Sequence, residues 1–110
     1  MSRLDRHGAV TVLRPSGPLR ADAIDSLHEQ IQPMLSGGVP YIVVDLSETP
    51  LIDSAGLEWL LEIDETCCRR GGCARVCGAG ELCGDILRVT AVGSTIQKFD
   101  DLTAALGSFA

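Results

Sequence analysis

The residues best suited to chemistry are Asp53 and Ser54, which stand between an apolar run and an amphipathic segment. This order predicts a strand and a short turn that lead into a helix, with Asp53 and Ser54 at its first positions. A helix N-terminus presents unpaired N–H groups and partial positive charge, so it accommodates an anion such as phosphate. Ala55 and Gly56 are small and are expected to leave the backbone open to a close partner, with Leu57 completing the segment.

A phosphate on the Ser54 hydroxyl would make this segment an electrostatic switch. It would add about −1.5 to −2 charges beside Asp53. A partner packed against the site would then lose contact through repulsion and desolvation, while the fold stays unchanged. An ordinary capping motif is the alternative interpretation, because Asp-Ser before an apolar helix is common.

The elements that must position this segment alternate between strand and helix, in the order β-α-β-α-β-α-(β)-α. This order predicts an α/β fold in a single domain over residues 1–110, with a mixed sheet of four to five strands and about four helices. Strands are expected over 9–14, 41–46 and 74–77, with weaker candidates near 2–6 and 95–99. Helices are expected from an Asp22 cap to Leu35, from about Ser54 to Arg69, over 81–89, and from an Asp100 cap through Leu106.

Composition and charge exclude several classes of function. The 110 residues are 45% hydrophobic and carry a net charge of −6, with one Lys and eight scattered Arg. Without a basic stripe we expect no direct binding to nucleic acid, and the charge also disfavours anionic membranes. The N-terminal residues resemble neither a signal peptide nor a transit peptide, and no apolar run is long enough to span a membrane, so we expect a cytoplasmic protein.

Five cysteines lie in the second half of the chain, at positions 67, 68, 73, 77 and 83. Their odd number and the lack of a secretion signal argue against a disulfide framework. Core packing is the favoured role for them, and redox sensing and metal binding are the alternatives; the spacing lacks the paired pattern of structural zinc sites. We predict no metal, no cofactor and no catalytic residues, because no nucleophile–base pair or complete phosphate-binding loop is present.

Trp59, the only tryptophan, lies one turn after Ser54 beside the polar stripe of the predicted helix. Tryptophan is enriched at interface hot spots, so Trp59 is a candidate for the partner surface together with Ser54. A half-buried packing role is the alternative.

Two stretches of the chain, Val43–Ser47 and Leu51–Leu57, resemble the signature of STAS domains of the bacterial anti-sigma-factor antagonist type. In that family a buried strand is followed by an Asp-Ser-x-Gly-Leu segment that opens a helix. Gly17-Pro18-Leu19 is similar to the family's Gly-Glu-Leu, and the resemblance extends over nearly the whole chain.

The resemblance implies that Ser54 is phosphorylated by a partner that is both anti-sigma factor and serine kinase. The unphosphorylated form would bind that partner and free the sigma factor, and a phosphatase would reset the cycle. Asp53 would orient the hydroxyl or shape the pocket. The family often has an acidic residue where this chain has Arg20, with Asp22 two places on. Arg20 either pairs with the phosphate or indicates a different partner, and both residues are assigned to the partner surface.

A second function implied by the resemblance is a subunit of a larger assembly, such as a lipid-transport ABC complex or a stressosome-like scaffold. The same surface would then dock without a phosphorylation cycle. The oligomeric state is open, with a dimer as one option, and an enzyme is the least favoured class.

Overall fold

The computed structural model describes residues 2–109, and its five strands form one mixed sheet in sequence order. The first pair is antiparallel and the other three pairs are parallel. The expected α/β fold is confirmed, and both weaker strand candidates are formed. The strands are β1 (Arg3–His7), β2 (Val10–Arg14), β3 (Tyr41–Asp45), β4 (Cys73–Cys77) and β5 (Gln97–Phe99).

Within residues 2–109 five helices are formed, where about four were expected. They are α1 (Ala21–Ser36), α2 (Ser54–Arg69), α3 (Glu81–Arg88), α4 (Ala91–Thr95) and α5 (Leu102–Gly107). The additional helix is α4, a single turn whose sequence has no apolar periodicity. The cap of α5 is Asp101, which accepts from the N–H of Ala104 at 2.8 Å, and not the expected Asp100.

The sheet separates a large core from a small one. The larger core combines alternate sheet residues such as Ile42 and Val44 with apolar side chains of α1, α2, α3 and α4. Val43 points to the other face, where it packs in a smaller cluster with Ala105 of α5. The apolar run in β3 is therefore buried on both faces, as its composition predicts.

An ion pair joins β2 and β3 where both strands end. The Nε of Arg14 donates to Oδ2 of Asp45 at 2.9 Å, and Asp45 is buried. The other carboxylate oxygen, Oδ1, accepts from the N–H of Ser47 at 3.0 Å, so the buried charge is fully bonded. Asp45 raises the pKa of Arg14 through this hydrogen bond and its charge.

Parallel strands end at the same edge of a sheet, so α1, α2 and α3 all begin there. In open α/β sheets this edge is the usual place for a binding site. The Asp53–Leu57 segment opens α2 and therefore lies at this edge. No helix within residues 2–109 is long and apolar enough to cross a membrane.

The cysteines divide into buried and accessible groups. Cys67, Cys77 and Cys83 are buried, as the core-packing interpretation requires, whereas Cys68 is exposed and Cys73 is half-buried. Burial raises the pKa of the Cys67 thiol to about 12, with the charge of Asp64 adding to the effect. Burial likewise raises the pKa of the Cys77 thiol to about 12.

These thiols should make the protein less stable in alkaline solution. The folded protein holds both thiol protons from pH 9.0 up to about 12, whereas the unfolded chain has lost them. Because the unfolded state binds fewer protons, the free energy of unfolding should fall as the pH rises through 9.0, with a slope for each thiol that approaches about 1.4 kcal/mol per pH unit near pH 10. Urea unfolding between pH 8 and 10 should show a shallower decline for Cys67→Ala/Cys77→Ala than for the parent chain. Equal declines would contradict this assignment.

Candidate functional site

The carboxylate of Asp53 caps α2. Its Oδ1 accepts from the N–H of Gly56 at 2.9 Å, and its backbone C=O accepts from the N–H of Leu57 at 3.0 Å. The backbone of Asp53 is extended, as expected of an N-cap, and α2 begins at Ser54 as predicted.

The same carboxylate also reaches the first turn of α1. Its Oδ2 accepts from the N–H of Ala21 at 3.4 Å, a long hydrogen bond. The cap position of α1 is Arg20, whose own side chain makes no capping hydrogen bond. The expectation that Asp22 caps α1 is therefore wrong, because the acceptor comes from the segment before α2. Asp22 is an exposed first-turn residue, where its charge suits the helix dipole.

Backbone hydrogen bonds join the loops that precede these two helices. The N–H of Leu19 donates to Leu51 at 2.9 Å, and the N–H of Asp53 donates back to Leu19 at 3.1 Å. A further bond runs from the N–H of Gly17 to Glu48 at 3.0 Å. The two helix starts are consequently parts of one hydrogen-bonded unit.

Ser54 is exposed at the first position of α2, so its hydroxyl is accessible to a macromolecule. Ala55 and Leu57 are partly exposed beside it. The amides of the first helical turn have no acceptor within the helix, so those at Ser54 and Ala55 are available to an anion. Arg20 is exposed and takes part in none of the ion pairs formed within residues 2–109.

Gly56 is buried and serves the packing of the site instead of leaving space for a partner. A Cβ atom there would lie 2.5 Å from the carbonyl oxygen of Leu19 and 2.8 Å from Cγ2 of Ile52. Glycine is thus required at position 56 for α2 to pack closely against Leu19, in the loop before α1, and against Ile52. The expectation that Gly56 belongs to the partner surface is wrong for this reason.

Trp59 is also buried, with 2% of its surface exposed. Its indole N–H donates to Nδ1 of His28 on α1 at 3.4 Å, so it packs between the two helices. Its assignment to an exposed partner surface with Ser54 is therefore wrong, and it is a packing residue that is more deeply buried than the half-buried alternative. Neither burial could be inferred from the local sequence, since both depend on contacts with α1 or with the loop before it.

The candidate site is an exposed surface at the starts of α1 and α2. No group of three or more potential metal ligands occurs in the described part of the chain. Of the predicted partner-binding residues, the fold brings together Arg20, Asp53, Ser54 and the exposed parts of Ala55 and Leu57, with Asp22 two residues further along in the first turn of α1.

Comparison with known proteins gives the family. The model of the family described as "Mlab, STAS domain" matches residues 2–98. The chain therefore belongs to the STAS domain family, whose members are binding modules. A search of curated proteins finds no match.

Solved structures agree on the fold. An anti-sigma factor antagonist from Mycobacterium paratuberculosis is similar at a TM-score of 0.88 and 23% identity, covering 98% of this chain and 92% of that one. The Bacillus cell fate determinant SpoIIAA in its phosphorylated form has a TM-score of 0.76 and 15% identity, covering 100% of both chains. A sulfate transporter family protein from Wolinella succinogenes has a TM-score of 0.80 and 20% identity, covering 93% and 85% respectively.

The packing role of Gly56 predicts a loss of stability on Gly56→Ala. The added methyl group must displace the backbone of Leu19, which should lower the free energy of unfolding by about 1–3 kcal/mol. Gly84 in α3 is a matched control because a Cβ atom there meets nothing within 4 Å. Gly84→Ala should instead raise the free energy of unfolding by about 0.5–1 kcal/mol. Urea titration distinguishes the two, and equal effects would contradict the close contact.

Proposed function

We propose that this protein is an anti-sigma-factor antagonist whose binding to an anti-sigma factor is switched by phosphorylation of Ser54. The unphosphorylated form binds a partner that is both anti-sigma factor and serine kinase, and thereby frees a sigma factor for transcription. Phosphorylation of Ser54 by that partner ends the interaction, and a phosphatase restores it. The proposal rests chiefly on one observation, the exposed hydroxyl of Ser54 at the Asp53-capped start of α2.

The geometry at Ser54 supports a switch that acts locally. The hydroxyl is at the surface, so a phosphate there needs no change in the core. The first-turn amides can hold the phosphate in the free protein. The added negative charge lies beside the Asp53 carboxylate, and both would be desolvated by a partner packed onto this surface. Phosphorylation therefore opposes complex formation more than it affects folding.

Arg20 gives this surface a feature of its own. Its backbone is held next to Asp53 through the bond from the Ala21 N–H, and its side chain is an exposed cation. In the phosphorylated form we expect the guanidinium to pair with the phosphate. In the unphosphorylated form Arg20 is available to a carboxylate of the partner, while Asp22 adds a charge of opposite sign.

We place the protein in the cytoplasm as a single STAS domain over residues 1–110 with no enzymatic activity of its own.

Ser54→Asp should abolish recovery of the kinase partner in a pull-down, because a permanent charge at this position imitates the phosphate. Ser94→Asp is a matched control, since Ser94 is an exposed serine on the short helix α4. The unmodified chain and Ser94→Asp should recover the same partner, and loss with both variants would show a general charge effect. Equal recovery with Ser54→Asp would contradict the switch.

Incubation with the recovered kinase and ATP tests the site of modification. Mass spectrometry should show one phosphate, located on Ser54, in the parent chain and in Ser94→Ala. Full phosphorylation of Ser54→Ala would contradict the assignment.

A second candidate is a subunit that docks in a larger assembly, such as a lipid-transport ABC complex or a stressosome-like scaffold, without phosphorylation. Two observations favour this candidate. The description of the matched family includes the name Mlab, and a sulfate transporter family protein shares the fold. The same pull-down separates the two candidates. A transporter ATPase or permease recovered equally with the parent chain and Ser54→Asp would support the assembly subunit.

A further inference from the structure

The negative charge of this protein is concentrated on two neighbouring helices. Together α1 and α2 carry seven acidic residues and one basic residue, whereas the rest of the chain carries eight of each. The whole net charge of −6 therefore belongs to these two helices. Charge of one sign on one face steers partners of the opposite sign toward that face.

A groove of about 510 Å³ lies between the two helices. Ile24 lines it and is partly exposed, and Trp59 and His28, joined by their hydrogen bond, line it as well. The carboxylates of Asp25, Glu29 and Glu62 line the rest, and all three residues are exposed.

The acidic side chains around the groove are not explained by helix stability. Asp25 and Glu29 are four residues apart on α1, and Glu58 and Glu62 are four apart on α2. Like charges at this spacing face each other and destabilise a helix. None of these four carboxylates takes part in an ion pair within residues 2–109. A cationic partner would offset this repulsion.

We propose that the groove between α1 and α2 binds a basic segment of a partner protein, with lysine or arginine side chains meeting the carboxylates and an apolar side chain meeting Ile24. The negative charge of the groove favours a basic protein segment over a second copy of this chain, a membrane or a nucleic acid. A second copy of the chain would bring the same acidic face or a neutral one, and an anionic membrane or nucleic acid would be repelled. The inference rests on the proposed function only in that both concern a protein partner.

The groove between α1 and α2 is a binding surface separate from Ser54. Ser54 precedes α2's exposed acidic residues, and the groove lining contains neither Ser54 nor Asp53. A phosphate at Ser54 carries the same sign of charge as the groove and does not repel a basic segment bound there. We therefore expect Ser54 to control the part of the interface around Arg20, and the groove to contribute affinity that is too weak by itself to hold the partner once Ser54 is phosphorylated.

A synthetic amphipathic peptide with leucines on one face and lysines on the other tests this surface directly. It is titrated into the full-length, unphosphorylated, ¹⁵N-labelled chain, followed by heteronuclear NMR. The indole N–H signal of Trp59 is unique in this protein and should shift, together with the amide signal of His28. An indole signal that stays in place at saturating peptide overturns the proposal.

A pair of matched variants shows whether the groove or the total charge is responsible. Glu29→Gln/Glu62→Gln should weaken peptide binding at least tenfold. Glu48→Gln/Glu81→Gln removes the same charge from exposed glutamates outside α1 and α2, and should change the dissociation constant less than twofold. Equal weakening by both pairs overturns the groove.

The outcome is independent of the switch, because the experiment needs neither kinase nor phosphate. Groove binding without any effect of Ser54→Asp on partner recovery would contradict the proposed function alone. A partner that responds to Ser54→Asp, combined with no difference between the two glutamine pairs, would contradict the groove alone.

Discussion

The carboxylate of Asp53 is the group on which the arrangement of the site depends. One oxygen accepts from Gly56 in α2 and the other from Ala21 in α1, so a single side chain serves the first turns of both helices. Without it, the amides of Gly56 and Ala21 would lose their acceptor, and only backbone hydrogen bonds would join the starts of α1 and α2. The backbone bonds between Leu19 and the segment Leu51–Asp53 work in the same direction. The proposed phosphate on Ser54 would change the charge of this surface without changing its shape.

The charged residues include an ion pair that joins two strands and others that are exposed near the candidate site. The buried pair of Arg14 and Asp45 joins the ends of the central strands, where the carboxylate is fully bonded. Four carboxylates on α1 and α2 are exposed and take part in no ion pair within residues 2–109, those of Asp25, Glu29, Glu58 and Glu62, and the exposed cation Arg20 stands at the start of α1. The pair of Arg14 and Asp45 thus belongs to the fold, and these exposed charges are available to partners.

The sequence predicts most of this fold because its signals are local. The bounds of α2 are correct at both ends, since Asp53 is a strong cap and Gly71-Gly72 a strong stop. What it does not predict depends on contacts between distant segments. The acceptor for the Ala21 N–H at the start of α1 is Asp53, which lies 32 residues further along the chain. Local sequence indicates the nearer Asp22 instead. Gly56 and Trp59 have local surroundings typical of a surface, and only the approach of Leu19 and His28 buries them.

The central claim is that a phosphate on Ser54 changes one surface, shared by the starts of α1 and α2, and leaves the core unchanged. It is tested most directly by heteronuclear NMR of the protein carrying phosphoserine at position 54, compared with the unmodified chain. We expect changes in amide shifts that are confined to Asp53–Leu57 and to Arg20 and Ala21. Changes spread through β2 and β3, or confined to α2 with none at Ala21, would contradict it.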